Sequence, residues 1–277
     1  MALMNKGESN MKLSCTDAMA PGDTLTQKAE LLKKWNYDGI AVFMPYDAWS
    51  QEKFDEVSHL EINTGIVPCE FVFSAPCYGH LMDEDDNLRM GARKMYSDAV
   101  KICAEIGSVT ELEYSYGPQT PLPLFSPYAK MKPEDEKLFL DMFNDLADIA
   151  AGSPGYLLLE NINRYESPYL NSVKDCLDIL EKLNRPSTGI LLDLYHMSLE
   201  ENDLPMSIIS AAKWIRHVHL GDSNRLEPGM GHTDWKSCLN ALRDIGYDGF
   251  LNLECALSDD PERSLPRVAE YIRSMTQ

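Results

Sequence analysis

Tyr156-Leu157-Leu158-Leu159-Glu160 is an apolar run closed by a carboxylate, and the same phrase returns three times before the chain ends. Ile190-Leu191-Leu192 runs into Asp193. Val218 runs into His219, and Phe250 to Leu253 runs into Glu254. Successive closing residues lie 33, 26 and 35 positions apart, from 193−160, 219−193 and 254−219. One strand–helix unit of an eightfold barrel takes roughly 30 residues. Four consecutive strands would then each deliver one ligand-type side chain to the same mouth. A lone carboxylate after an apolar run is usually a surface strand end. Four in phase, with the donor chemistry of a divalent cation, read as a site.

Short β-rich runs alternate with helical patterns along the chain, which predicts a parallel α/β architecture. Eight strands are expected, at Lys12–Thr16, Gly39–Phe43, Ile66–Phe73, Val109–Tyr114, Tyr156–Glu160, Gly189–Asp193, His217–Leu220 and Phe250–Glu254. Apolar residues at three- and four-residue spacing predict helices between them. These are Leu25–Trp35, Gln51–Ile62, Arg89–Ile106, Glu134–Ala150, Ser172–Leu183, Met206–Trp214, Trp235–Ile245 and Pro261–Met275. The chain also echoes itself. Leu32-Lys33-Lys34-Trp35-Asn36-Tyr37-Asp38-Gly39-Ile40 resembles Leu242-Arg243-Asp244-Ile245-Gly246-Tyr247-Asp248-Gly249-Phe250, each copy ending a helix and turning into a strand. The expected fold is a single-domain (β/α)8 TIM barrel over residues 12–277, after a polar tail over 1–11.

The length of 277 residues suits one such barrel, typically ~250 residues. Acidic residues outnumber basic ones 44 to 25, a net charge of −19 that disfavours a nucleic-acid partner. No apolar stretch approaches the ~20 residues of a membrane span, and Met1 to Asn10 carries no signal-peptide core. Seven cysteines stand singly, with no CxxC pair, which fits a reducing cytoplasm. The expected location is cytoplasmic, with neither membrane nor nucleic acid as partner.

Three carboxylates and one imidazole make an oxygen-rich donor set. It suits Mn2+, Mg2+ or Co2+ better than a closed structural zinc site, which prefers Cys and His. An octahedral ion with four protein ligands keeps about two positions open. Those positions could chelate a hydroxyl and the neighbouring carbonyl of a ketose, so that a carboxylate removes the C–H beside it.

At these residues the chain resembles a known family. Glu160-Asn161-Ile162-Asn163-Arg164-Tyr165-Glu166, Leu192-Asp193-Leu194-Tyr195-His196-Met197, His217-Val218-His219-Leu220-Gly221-Asp222-Ser223-Asn224-Arg225, Pro228–Trp235 and Leu253-Glu254 look like the sugar isomerase/epimerase family of xylose-isomerase-like TIM barrels. Within it, the quoted residues resemble those of ketose 3-epimerases. The resemblance is specific from about residue 155 onward. It implies that Glu160, Asp193, His219 and Glu254 are metal ligands, with Mn2+ the first choice. It implies that Glu160 and Glu254 also exchange the proton, one from each face of the sugar. Glu166, His196 and Arg225 would hold substrate oxygens. The implied activity is isomerisation or epimerisation of a ketose or related polyol through a metal-bound enediolate, by a homo-oligomer, an unlike subunit not being ruled out. Asn161 departs from the family, standing where a proline commonly follows the first ligand.

Several other residues are weighed against plainer roles. His217 shares a strand face with His219 but sits deeper, and is expected to pack beneath the site. His232 and Asp234 are candidate extra ligands, though Asp234 or Thr233 capping a helix at Trp235 is the preferred reading. His80 is a candidate for substrate binding from the opposite side. Cys77, Tyr78, Phe125 and Tyr128 are candidate substrate walls, and Trp35 is expected in the core. The proline-rich loop Gly117–Pro127 is expected to help cover the pocket. One alternative is a dehydratase or lyase acting on a keto-sugar or 3-keto-glycoside, which shares the first step and ends in elimination. A metal-dependent abasic-site endonuclease on the same barrel would resemble a three-metal site with extra histidines, and among the six here two early-strand ligands are not evident. A sugar-binding module without catalysis would not need an intact ligand set.

Overall fold

The computed structural model describes residues 10–125 and 129–276. The expected tail therefore lies, up to residue 9, outside the described residues, as does Tyr128. Eight parallel strands close into a barrel in chain order: β1 (Lys12–Thr16), β2 (Gly39–Pro45), β3 (Val67–Ser74), β4 (Val109–Leu112), β5 (Tyr156–Glu160), β6 (Thr188–Asp193), β7 (Ile215–Leu220) and β8 (Phe250–Leu253). The helices between them are α1 (Leu25–Lys34), α2 (Gln51–Ser58), α3 (Leu60–Thr64), α4 (Asp86–Ile106), α5 (Pro133–Ile149), α6 (Val173–Leu183), α7 (Leu194–Glu200), α8 (Leu204–Ser210), α9 (Trp235–Asp244) and α10 (Pro261–Thr276). The single-domain TIM barrel expected from the sequence is the fold observed.

Local chemistry sets the helix boundaries. Thr24 and Gln27 form a capping box at α1, and Ser172 and Asp175 form one at α6. Pro133 opens α5 with three acidic residues in its first turn, matching the positive end of the helix dipole. The two echoed turns superpose in hydrogen bonding. Tyr37 N–H donates to the Leu32 carbonyl and Tyr247 N–H to that of Leu242, each at 3.0 Å. The preceding residues, Asn36 and Gly246, both take the left-handed conformation, at φ 67° and 77°.

Two differences from the expected elements have clear causes. The segment 51–62 is two helices, because the chain breaks at His59. The helix α7 is additional: it starts directly after β6 with no loop and has only seven residues, too short to show a periodicity.

The barrel is apolar outside and polar inside. A continuous core lies between sheet and helices and includes Phe71, Leu157, Leu159, Leu192, Val218 and Leu253 on the strands. Inside, Val109, Leu158 and Leu191 form a small separate apolar layer, with Tyr156 packed against it. Alternation puts Glu160 on the same side as Leu158, and Asp193 on the same side as Leu191. In register, Asp193 neighbours His219, and His219 neighbours Asn252. Glu254, two residues beyond Asn252, completes the row. The four carboxyl-terminal strand ends thus turn their polar residues to one mouth.

Candidate active site at the carboxyl end of the barrel

His219 is fully buried and sits at the centre of the site. Its Nδ1 lies 2.5 Å from Glu254 Oε2, 3.6 Å from Glu160 Oε1 and 3.9 Å from Asp193 Oδ2. The four residues singled out from the strand ends therefore converge. None of these contacts has hydrogen-bond geometry, and Nδ1 is left without a hydrogen-bond partner. Ligand atoms of Glu111, Glu160, His219 and Glu254 lie within 4.8 Å of one another, as do those of Glu160, Asp193 and His196, spacings at which a metal ion could be held.

Other contacts fix each donor. On the far side of the ring, His219 Nε2 lies 3.0 Å from Glu70 Oε2, a carboxylate from the middle of β3. His217 Nε2 lies 3.4 Å from the same oxygen, so His217 packs beneath the site. Asp193 divides its two oxygens. Oδ1 accepts the His196 N–H at 2.8 Å and caps α7, while Oδ2 faces His219. Asn161 uses its side-chain carbonyl to accept the Asp193 N–H at 3.3 Å, a bond that a proline there could not make.

The electrostatics follow from burial around few positive charges. Burial pushes Glu160 well above the usual carboxylate range, and its contact with His219 offsets this only in part. Burial acts the same way on Glu254, but His219 overcomes it and holds Glu254 below that range. Burial disfavours charge on His219 itself, yet Glu70, Glu254 and Glu160 hold it well above its ordinary value.

The expected substrate-binding residues form a second group. Arg225 Nη1 donates to Glu166 Oε1 and Oε2 at 2.8 and 2.9 Å. Its guanidinium lies 4.7 Å from the centre of the Tyr195 ring. Arg225 takes a left-handed backbone at φ 60°, held by its N–H donating to the Asp222 carbonyl at 2.7 Å. His196 Nδ1 accepts the Asn163 N–H at 3.2 Å, which leaves the ring proton on Nε2. Burial holds the His196 imidazole below its ordinary value, so the ring is neutral. Glu160, His196, Arg225 and Glu254 all border one cavity of about 170 Å³.

The remaining candidates sort clearly. Tyr78 lines the cavity. His80 does not join this group: its ring pairs with Asp83 at 2.7 Å, in the loop after β3. Cys77 packs against Met95, and Phe125 is exposed. His232 is exposed, and Asp234 caps α9 by accepting the Ser237 N–H at 3.1 Å. Trp35 is partly buried against the core. The loop after β4 ties to the segment after β5, with Gly117 and Gln119 N–H donating to the Glu166 and Tyr165 carbonyls.

Around the site, three buried carboxylates are not among the residues expected from the sequence: Glu70 on β3, Glu111 on β4 and Glu113 just beyond it. The available signal was the strand alternation, which puts Glu111 on the inner face with Val109.

A barrel with its ligand-type residues on the last four strands is the class this site defines. The chain belongs to the xylose isomerase-like TIM barrel family, whose model matches residues 29–275. Among curated proteins it is similar to a ketose 3-epimerase of Arthrobacter globiformis, 44% identical over 130 residues, covering 47% of this chain and 45% of that protein. It is also similar to a probable ketose 3-epimerase of Synechocystis sp., 26% identical over 235 residues, covering 83% and 78%. The matched stretch spans about half the length of the first of these. Among solved structures it resembles 3-keto-D-glucoside 4-epimerase from E. coli, at TM-score 0.83 and 22% identity, covering 95% of this chain and 99% of that one. At that identity the likeness shows the fold.

Proposed function

We propose that the chain is a divalent-metal-dependent sugar epimerase or isomerase, acting on a ketose or related keto-sugar by proton transfer beside the carbonyl. The observation that carries this reading is the convergence of Glu160, Asp193 and Glu254 on a His219 nitrogen that has no hydrogen-bond partner. Those four residues would hold the ion, and their mostly oxygen donors favour Mn2+, with Mg2+ or Co2+ as substitutes. When bound, the ion supplies Lewis-acid polarisation of a carbonyl.

The chain's own groups do the rest. Glu160 and Glu254 come from different strands and both border the cavity, so one carboxylate takes the proton and the other returns it. Neutral His196 presents its Nε2 proton as a donor to a substrate oxygen. Arg225 and Glu166 together offer fixed donors and acceptors for hydroxyls. The cavity is smaller than the ~300–1,000 Å³ of pockets for drug-sized ligands, which suits a monosaccharide. Relatives named as ketose 3-epimerases support the same reading. An abasic-site nuclease would draw histidines from the early strands, whereas β3 and β4 bring Glu70 and Glu111.

The test is deuterium exchange. With Mn2+ present, the protein should incorporate solvent deuterium into a ketose at a carbon beside the carbonyl. Glu254→Gln should slow exchange by about 10²–10⁴-fold, the usual worth of a positioned general base. Undiminished exchange in that variant removes Glu254 from the mechanism. Product analysis separates the epimer from an elimination product, which would indicate the dehydratase or lyase branch.

A further inference from the structure

The carboxylates Glu111, on β4, and Glu113, just beyond it, lie outside the mechanism above, yet both border the cavity. Tyr78 holds them: its hydroxyl contacts both Glu111 Oε1 and Glu113 Oε1. Glu113 Oε2 accepts the Tyr96 hydroxyl at 2.6 Å, so both Glu113 oxygens are engaged. Glu111 differs. Its Oε2 is buried and has no hydrogen-bond partner, although the residue is only 2% exposed. Its carboxylate lies within 4.8 Å of donor atoms of Glu160, His219 and Glu254. Leaving such a group unpaired is unfavourable, and a ligand hydroxyl would remove that cost.

We propose that Glu111 is the specificity-determining residue of the cavity, its free Oε2 taking one hydroxyl of a neutral polyhydroxy sugar at a carbon outside the reacting pair. This inference rests on the epimerase reading and refines its substrate class. A hydroxyl suits the position because it can both donate and accept. An ionised carboxylate or phosphate does not, because it brings acceptors and no donor to an unpaired carboxylate oxygen. Arg225 offers an anion only partial relief, because the Glu166 carboxylate already pairs with its guanidinium. Tyr78, fixed by Glu113, is a positioning residue that holds the Glu111 carboxyl in place.

The experiment compares the Mn2+-loaded wild type, Glu111→Gln, Glu111→Ala and Tyr78→Phe. Each is assayed on the best ketose, its monodeoxy analogues and its uronate and phosphate counterparts. In the wild type, loss of one particular hydroxyl should lower kcat/KM by about 100-fold or more, because the buried oxygen is left unpaired. In Glu111→Ala that ratio should collapse toward one, while the ratios for the other hydroxyls stay put. Glu111→Gln, which keeps shape and an acceptor, should retain part of the preference and tolerate the anionic analogues better. Tyr78→Phe should weaken the same preference without changing bound metal. Unchanged ratios in all variants overturn the proposal. So does a fall in Mn2+ content on Glu111→Gln, which would make Glu111 a metal ligand. If the loaded wild type exchanges no proton on any ketose, the epimerase reading itself fails. If it exchanges while selectivity ignores Glu111, only this inference fails.

Discussion

Glu70 shows how much one side chain decides. It sits mid-strand inside Val67–Ser74, where sequence suggests only a buried strand, and it is fully buried. Burial would raise its pKa, but the imidazoles of His219 and His217 more than offset this and hold it below the usual carboxylate range. Its contact with Nε2 orients the His219 ring so that Nδ1 faces the carboxylates. Such outer partners of a ligating histidine are commonly worth about 10–100-fold in metal affinity. Glu70→Gln should therefore weaken Mn2+ binding by about that factor in titration calorimetry, with the fold retained by circular dichroism. Unaltered affinity would show that the ring is held by packing alone.

Elements carry the next level of control, and the loop between β7 and α9 is the clearest case. Asp222 is fully buried and accepts from the N–H groups of Ser223, Gly229 and Thr233 and from the Trp235 indole. It thereby folds the loop that carries Arg225 in its left-handed conformation. Burial would raise the Asp222 pKa, but these four donors hold it far below the ordinary value. A depressed folded-state pKa adds stability above the unfolded value of ~3.9, and that stability is lost as pH falls from there toward the folded pKa. Asp222→Asn should cost roughly 1–3 kcal/mol at neutral pH, since it weakens charged hydrogen bonds to buried donors. The gap between the two denaturation curves should narrow below about pH 4. A gap independent of pH would mean that Asp222 acts by shape rather than charge. The element β6–α7 makes a related point: because no loop separates them, Asp193 caps the helix with one oxygen and turns the other toward His219.

At the scale of the whole molecule, the barrel concentrates buried carboxylates that repel one another. Glu70, Glu111, Glu113, Glu160 and Asp193 are all buried, on a chain whose net charge is −19. A cation bound only by the folded state should stabilise it by about 2.7 kcal/mol at a free concentration 100 times Kd. Melting in Mn2+ against melting after chelation should show an upward shift of several degrees with the ion. Equal transitions in both conditions would count against a cation at this site. Among the described residues, no helix is long and apolar enough to cross a membrane.

The barrel was legible in the chain alone, and so was the sharing of one rim by four of the candidate site residues. The repeated run-plus-ligand phrase at Glu160, Asp193, His219 and Glu254 carries both the strand spacing and the donor chemistry, because strand ends at regular intervals must share one rim. The loop residues Glu166 and Arg225 were legible through their resemblance to a known family. Contacts across the barrel came from the three-dimensional fold. It placed Glu70 behind His219 from 149 positions away, set Glu111 and Glu113 against Tyr78, and turned His80 aside to Asp83. The reason is physical: periodicity reports which face of an element a residue occupies. Which distant side chain it meets there depends on how the strands close around the axis, and no local pattern encodes that distance.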